Sequence, residues 1–164
     1  LFVDTFVGGG LVINSHLHSG LHGNAGAVAS VPLHLARQGQ GKPEQLLDRA
    51  SLWELEQRFG AAGLEPTAAY DDRATSAPYL EHTELWIGNA ARGLAQCVVS
   101  GTAFLDLDAV VIDGSFSRAM LAMLLAQTTQ ALEDYNWEGL WRTRLIAGDI
   151  GSDARAGRRA AAPA

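Results

Sequence analysis

The chain has 164 residues, 48% of them hydrophobic and 18% charged, with a net charge of −6. That length suits a single domain, which would bury roughly two-thirds of the surface its unfolded form exposes. The acidic balance gives no support to non-specific binding of nucleic acid or anionic membrane, and a single cysteine, Cys97, excludes an internal disulfide and a Cys-based zinc cluster and makes a reducing, cytoplasmic setting the expectation.

In chain order, residues 1–7 read as a strand, without the basic region and cleavage site of a signal peptide. With no initiator Met ahead of it, this start reads as the truncation of a longer product. Gly8-Gly9-Gly10 reads as a flexible junction, and Leu11 to Asn14 as the next strand. A turn-rich stretch then runs to Gly26, and Ala27 to Leu33 suits a third strand, which together predict a β-meander with Gly-rich corners. Gln38 to Pro43 is a polar loop. A helix follows from Pro43 to about Phe59, with Leu46, Leu47, Ala50, Leu52, Trp53, Leu55 and Phe59 as its apolar face. Residues 64–78 read as loop. A second helix covers about Tyr79 to Thr102, with Leu85, Trp86, Ala90, Leu94 and Val98 as its buried stripe. Ala109 to Ile112 is an apolar run that suits a strand covered on both faces. Asp113-Gly114 reads as a turn, Ser117 to Tyr135 as a third helix, and Arg144 to Ala147 as a last strand. This order predicts an α/β domain over residues 1–150, a mixed sheet flanked by helices. The tail from 151 to 164 is of low complexity and is expected to fray. No apolar run approaches the ~20 residues of a membrane span.

Several stretches carry chemistry. Glycines at a strand–strand corner, as in Gly8, Gly9 and Gly10, let backbone N–H groups approach a phosphate, and the Thr5 hydroxyl could add a bond; taken alone, such a corner is more often structural. The loop Gly20 to Gly26, with Gly23, Asn24 and Gly26, suits closure over a polar ligand or a plain turn. His16, His18 and His22 form H-x-H-x3-H, but lack a Cys or carboxylate partner nearby, so no metal site is expected. Cys97, in a helix beside Val98 and Val99, reads as a core residue. Asp106, Asp108 and Asp113 bracket a strand and read as turn chemistry. Trp53, Trp86, Trp137 and Trp141 read as core or lobe-packing residues, and Trp137 and Trp141, at i and i+4, are the best of a weak set for a sugar platform.

Taken together, Thr5, Val7, Gly8 to Gly10 and Leu11 to Asn14, then Gly20, Gly23, Ala25 and Gly26, resemble two motifs of the ROK family (repressor, open reading frame, kinase). These are its Gly-rich phosphate hairpin, GTGIGGGLVING, and its GxxGxAGExGH segment. Asp108 to Gly114 resembles the family's late strand, which ends in a Gly-Gly turn near the adenosine. The landmarks span about residues 1–120. The resemblance implies an actin-like ATPase (ribonuclease H-like) lobe, the C-terminal half of a two-lobe protein. It implies nucleotide contact at Thr5, Gly8, Gly9, Gly10 and Gly114, and sugar contact at Gly23, Asn24 and Gly26. The parent would use ATP with magnesium, bind a sugar or sugar phosphate, and form a homo-oligomer.

The sequence departs from the family pattern at informative places. Asp4 and Phe6 stand where the pattern has glycines, Ala27 where it has the sugar-binding Glu, and Ser30 where it has the His that serves sugar and zinc. Arg37 to Lys42 occupies the place of the Cys-rich zinc loop, so no zinc is expected. The Asp-Gly-Gly-Thr phosphate loop and the segment with the catalytic base would lie upstream of Leu1, so no catalytic residue is expected in this chain. Two functions follow. One is a sugar-responsive transcriptional regulator with a degenerate kinase-like body, which would reach DNA only through a separate N-terminal helix-turn-helix. The other is an ATP-dependent sugar kinase, of the glucokinase or N-acetylhexosamine kinase kind, whose catalytic lobe lies outside this chain.

Overall fold

The computed structural model describes residues 1–151; the tail expected to fray lies outside the described residues from 152 onward. Among the described residues six strands and four α-helices follow one another as β1 (Phe2–Val3), β2 (Val7–Gly8), β3 (Leu11–Ile13), β4 (His16–His18), α1 (Leu46–Ala50), α2 (Leu52–Ala61), α3 (Leu80–Leu105), β5 (Ala109–Gly114), α4 (Arg118–Leu132) and β6 (Arg144–Ala147). The main sheet has the order β2-β1-β5-β6, with β1 antiparallel to β2 and β5 parallel to both β1 and β6. It is the expected mixed sheet flanked by helices. Among the described residues no helix is long and apolar enough to cross a membrane.

The opening is not a meander. β3 and β4 leave the main sheet and pair only with each other, Leu11 opposite His18 and Ile13 opposite His16. β4 falls inside the stretch read as turns. The third strand expected at 27–33 is instead a single 3-10 turn at Val28–Ser30. Its neighbours bond to the chain leading into α1, Leu33 N–H to Glu44 and Leu46 N–H to Val31, so no sheet edge is offered to them. Asp113 and Gly114, read as a turn, close β5 in register with Phe2 and Val3.

The helix expected from 43 to 59 is broken at Ser51, whose backbone is extended (φ −87°, ψ 142°). Tertiary contacts hold that break. The Ser51 hydroxyl accepts the buried Val7 N–H at 3.0 Å, and the Ser51 carbonyl accepts the indole N–H of Trp86 at 3.1 Å. Beyond the break, the first N–H groups of α2 would have no helical partner. Leu52 and Trp53 donate to the carbonyls of Asp4 and Thr5, which ties the β1–β2 turn onto the start of α2.

α3 runs 26 residues and stops at Asp106, whose left-handed backbone (φ 50°) sends its N–H back to Thr102. Its stripe of Trp86, Ile87, Ala90, Leu94 and Val98 is buried against α1, α4 and the sheet. Burying side chains of this size stabilises by about 1.5–3 kcal/mol each. Gly93 lets α1 approach, because a Cβ there would lie 3.1 Å from Leu46 Cδ1. Leu85, placed in the stripe on sequence, is 56% exposed. It is one residue, about 100° of helical turn, from Trp86 and falls on the outer flank. The sheet is covered on one face by these helices. On the other, Val111 is 48% and Ile146 39% exposed, so β5 is not covered on both faces as its apolar run suggested.

Candidate functional site

The β1–β2 hairpin and the end of β5 bound one cleft of 550 Å³. Gly8, Gly9 and Gly10 form one wall, Asp113 with Gly148 to Ile150 the other, and Asp4 lies between them. The sequence-predicted glycine corner therefore does reach a cavity. Gly9 is there for close approach: a Cβ would lie 2.9 Å from Val28 Cγ2 and 3.1 Å from the Gly26 carbonyl. Gly8 has open space where its Cβ would be.

Thr5 and Gly114 do not line this cleft. The Thr5 hydroxyl is paired with the Tyr70 hydroxyl at 2.8 Å, and its carbonyl holds α2. Gly114 is packed into the sheet; a Cβ would lie 2.6 Å from the Val3 carbonyl and 2.2 Å from the Phe116 ring. Both residues are bound up in the scaffold that supports the cleft.

The second motif folds onto the first by direct backbone contact. Gly26 has φ +82°, and a Cβ on it would lie 2.7 Å from Gly10 Cα and 2.8 Å from Gly10 C. Inside the loop, the Ala25 N–H donates to Ser19 and the Ala27 N–H to the Asn24 carbonyl, both at 3.0 Å. Gly23 (φ +75°) and Asn24 are exposed at the loop's tip, as are Ala27 and Ser30 after it. Gly26 lines a different, mostly apolar groove of 280 Å³ with Gly10, Val12 and Cys97. Of the expected phosphate and sugar residues, Gly8 to Gly10 and Gly26 are thus neighbours on two cavities, with Gly10 in both walls, whereas Gly23 and Asn24 line neither.

Asp113 is the residue that sequence reading undervalued. It is 3% exposed, and its carboxylate accepts the N–H groups of Gly114, Ile150 and Gly151 and an ion pair from Arg118. Burial by itself would raise its pKa, but the bonds from Gly151, Arg118, Gly114 and Ile150 outweigh it and hold the carboxyl below its ordinary range. The sequence offered it only as turn chemistry at the end of a strand.

The other candidates disperse. His16 and His18 are exposed on the β3–β4 hairpin, His16 bonding the Asn14 carbonyl. Among the described residues, no three His, Cys, Asp or Glu side chains come together as a metal site would need. Cys97 is buried in the core, and burial pushes its thiol pKa up, away from nucleophilic character. Trp137 is buried with its indole N–H on the Leu132 carbonyl, whereas Trp141 is 71% exposed. The segment between them is not helical, so they form no common platform. Asp108, just ahead of β5, pairs with Arg144 of β6.

Asp4, Asp113 and Asp149 line the cleft, and among the described residues no Lys or Arg does. A like charge at 4 Å costs about 4 kcal/mol near a protein surface.

The sheet, its flanking helices and the glycine-walled cleft define an actin-like α/β architecture. The fold is shared with ROK-family sugar kinases over about half of their length. The chain superposes on an ROK hexokinase from Thermus thermophilus with a TM-score of 0.66 and 22% identity, over 93% of this chain and 52% of that one. It superposes on an ROK family protein from Streptococcus pneumoniae TIGR4 in complex with sucrose (TM-score 0.67, 21% identity, 93% and 53%). It does so too on an ROK family glucokinase from Streptomyces griseus in complex with glucose and AMPPNP (0.63, 17%, 93% and 55%). The chain spans about half the length of these structures. No protein-family model and no curated protein matches the sequence.

Proposed function

We propose that this chain is the C-terminal portion of an ROK-family protein whose kinase-like body binds a sugar or sugar phosphate without phosphorylating it, in a sugar-responsive transcriptional regulator. The observation that carries this is the pair Ala27 and Ser30. They stand at the positions where the resembling motif has its sugar-binding Glu and His, and both are small and exposed beside the Gly20–Gly26 loop. Neither can make the charge-assisted bonds that hold and orient a sugar hydroxyl for phosphoryl transfer. The acidic cleft adds to it, because phosphoryl transfer rests on stabilising negative charge. In this reading the parent is a cytoplasmic homo-oligomer that meets DNA through an N-terminal helix-turn-helix, and zinc has no part in it.

A second reading is favoured by the likeness to a hexokinase and a glucokinase. Here the parent is an ATP- and magnesium-dependent sugar kinase, with Gly8 to Gly10 near the nucleotide and the base on its other lobe. Two measurements separate the readings. The gene sequence ahead of Leu1 should carry about 60 residues with a helix-turn-helix pattern for the regulator, or a start close to an Asp-Gly-Gly-Thr loop for the kinase. The full-length parent, assayed with ATP, magnesium and a panel of hexoses and N-acetylhexosamines, should show no turnover. Clear turnover that is lost on Gly8→Val would overturn the regulator.

A further inference from the structure

Four donors from separate parts of the chain converge on the Asp113 carboxylate. Oδ1 accepts the Gly114 N–H and the Arg118 guanidinium, each at 2.8 Å. Oδ2 accepts the N–H groups of Ile150 at 2.8 Å and Gly151 at 2.9 Å. They belong to the end of β5, the first residue of α4 and the segment after β6. The backbone is shaped closely around the group: a Cβ on Gly148 would lie 2.5 Å from Asp113 Cβ, and one on Gly151 2.8 Å from the Arg118 guanidinium. Inward-facing N–H groups joined by a guanidinium are the means by which proteins hold oxyanions presented from outside. In this chain the occupant is covalently attached, at the edge of the 550 Å³ cleft.

We propose that this end of the cleft is an oxyanion-binding site that Asp113 fills from within, and that this internal carboxylate keeps phosphate-bearing ligands out of it. The inference goes beyond the functional reading above and does not depend on it, since the four donors are the same in a regulator or a kinase. While Asp113 is in place, an incoming phosphate meets donors already used and a negative charge. With the side chain removed, the donors face the cleft and lack an acceptor. Asp4 and Asp149 line the same cleft, so the ion that enters is a small one held by the four donors and not a polyphosphate laid along the walls.

The test uses the 164-residue chain with Asp113→Gly and Asp113→Ser, followed by thermal melts in sodium phosphate, sodium formate and sodium chloride at matched ionic strength. Both variants should melt lower than the parent sequence in chloride and recover saturably in phosphate and in formate, which returns the missing carboxylate. Calorimetry should find one phosphate per Asp113→Gly chain, bound roughly tenfold or more tightly than by the unsubstituted protein. Adding Arg118→Ala should abolish that gain. If a variant is unfolded in chloride and folds in phosphate, the proposal also stands. Melts that respond to phosphate no more than the unsubstituted chain, or variants unfolded in all three salts, would overturn it and leave Asp113 as a latch.

Discussion

Arg118 reaches from the first turn of α4 to place its guanidinium 2.8 Å from the buried Oδ1 of Asp113, and the same guanidinium bonds the Gly148 carbonyl at 3.0 Å. The two partners are unequal. The Arg118 side chain is half-exposed, whereas that of Asp113 is buried and serves three backbone N–H groups as well. Removing the arginine leaves the carboxylate well bonded. Removing the carboxylate strands three backbone amides. Arg118→Ala should therefore cost about 1 kcal/mol and Asp113→Ala about 3–5 kcal/mol. Urea unfolding of both variants checks this, and equal losses would contradict it.

Acid sensitivity follows from the same group. Because its folded-state pKa is depressed below the ordinary 3.8, Asp113 contributes stability that is fully present above that value. The contribution is lost as the pH falls through the lower folded-state pKa. Asp113→Asn cannot titrate. The stability difference between the two proteins should be constant near neutrality and shrink steadily below about pH 4. Denaturation at a series of pH values measures it; a difference that is unchanged under acid would contradict the assignment.

Gly23 and Gly26 both have positive φ, yet their surroundings differ. Gly23 has open space where a Cβ would lie, while Gly26 would drive a Cβ into the Gly10 backbone. Gly23→Ala should cost only the left-handed penalty, about 1 kcal/mol. Gly26→Ala adds a clash that only main-chain movement relieves and should cost about 3 kcal/mol. It should also increase hydrogen exchange at Leu11 and Val28, which flank the contact. Similar losses for the two variants would mean that the two motif stretches are not locked together.

Asn24 holds its loop through its main-chain carbonyl, which accepts the Ala27 N–H, and its side chain is exposed. Asn24→Ala should leave stability within about 0.5 kcal/mol. If the loop is one wall of the sugar site, the same change should weaken binding of a neutral hexose or N-acetylhexosamine roughly three- to thirtyfold, for one or two lost hydrogen bonds. Calorimetric titration and a thermal melt on one sample separate the effects. A lowered melt with unchanged affinity would make Asn24 a turn residue only.

Local pattern alone determined α3, α4, β5 and β6, because each is written in a spacing or a run that nearby residues enforce. Trp86, Ala90, Leu94 and Val98 recur every four residues, and Val110, Val111 and Ile112 are β-formers bounded by turn residues. The glycine corner at Gly8 to Gly10 was legible too, since its residue types match a motif. Tertiary structure alone decided the break at Ser51, where the Val7 amide and the Trp86 indole compete with helix continuity from 44 and 35 residues away. It likewise decided that β3 and β4 leave the sheet, that Thr5 turns to Tyr70, and that Asp113 becomes the centre of a four-donor site. None of these is written locally. A hydrogen bond between residues far apart in the chain exists only once packing has brought donor and acceptor within reach, and there the desolvation cost of leaving either group unpaired sets the outcome.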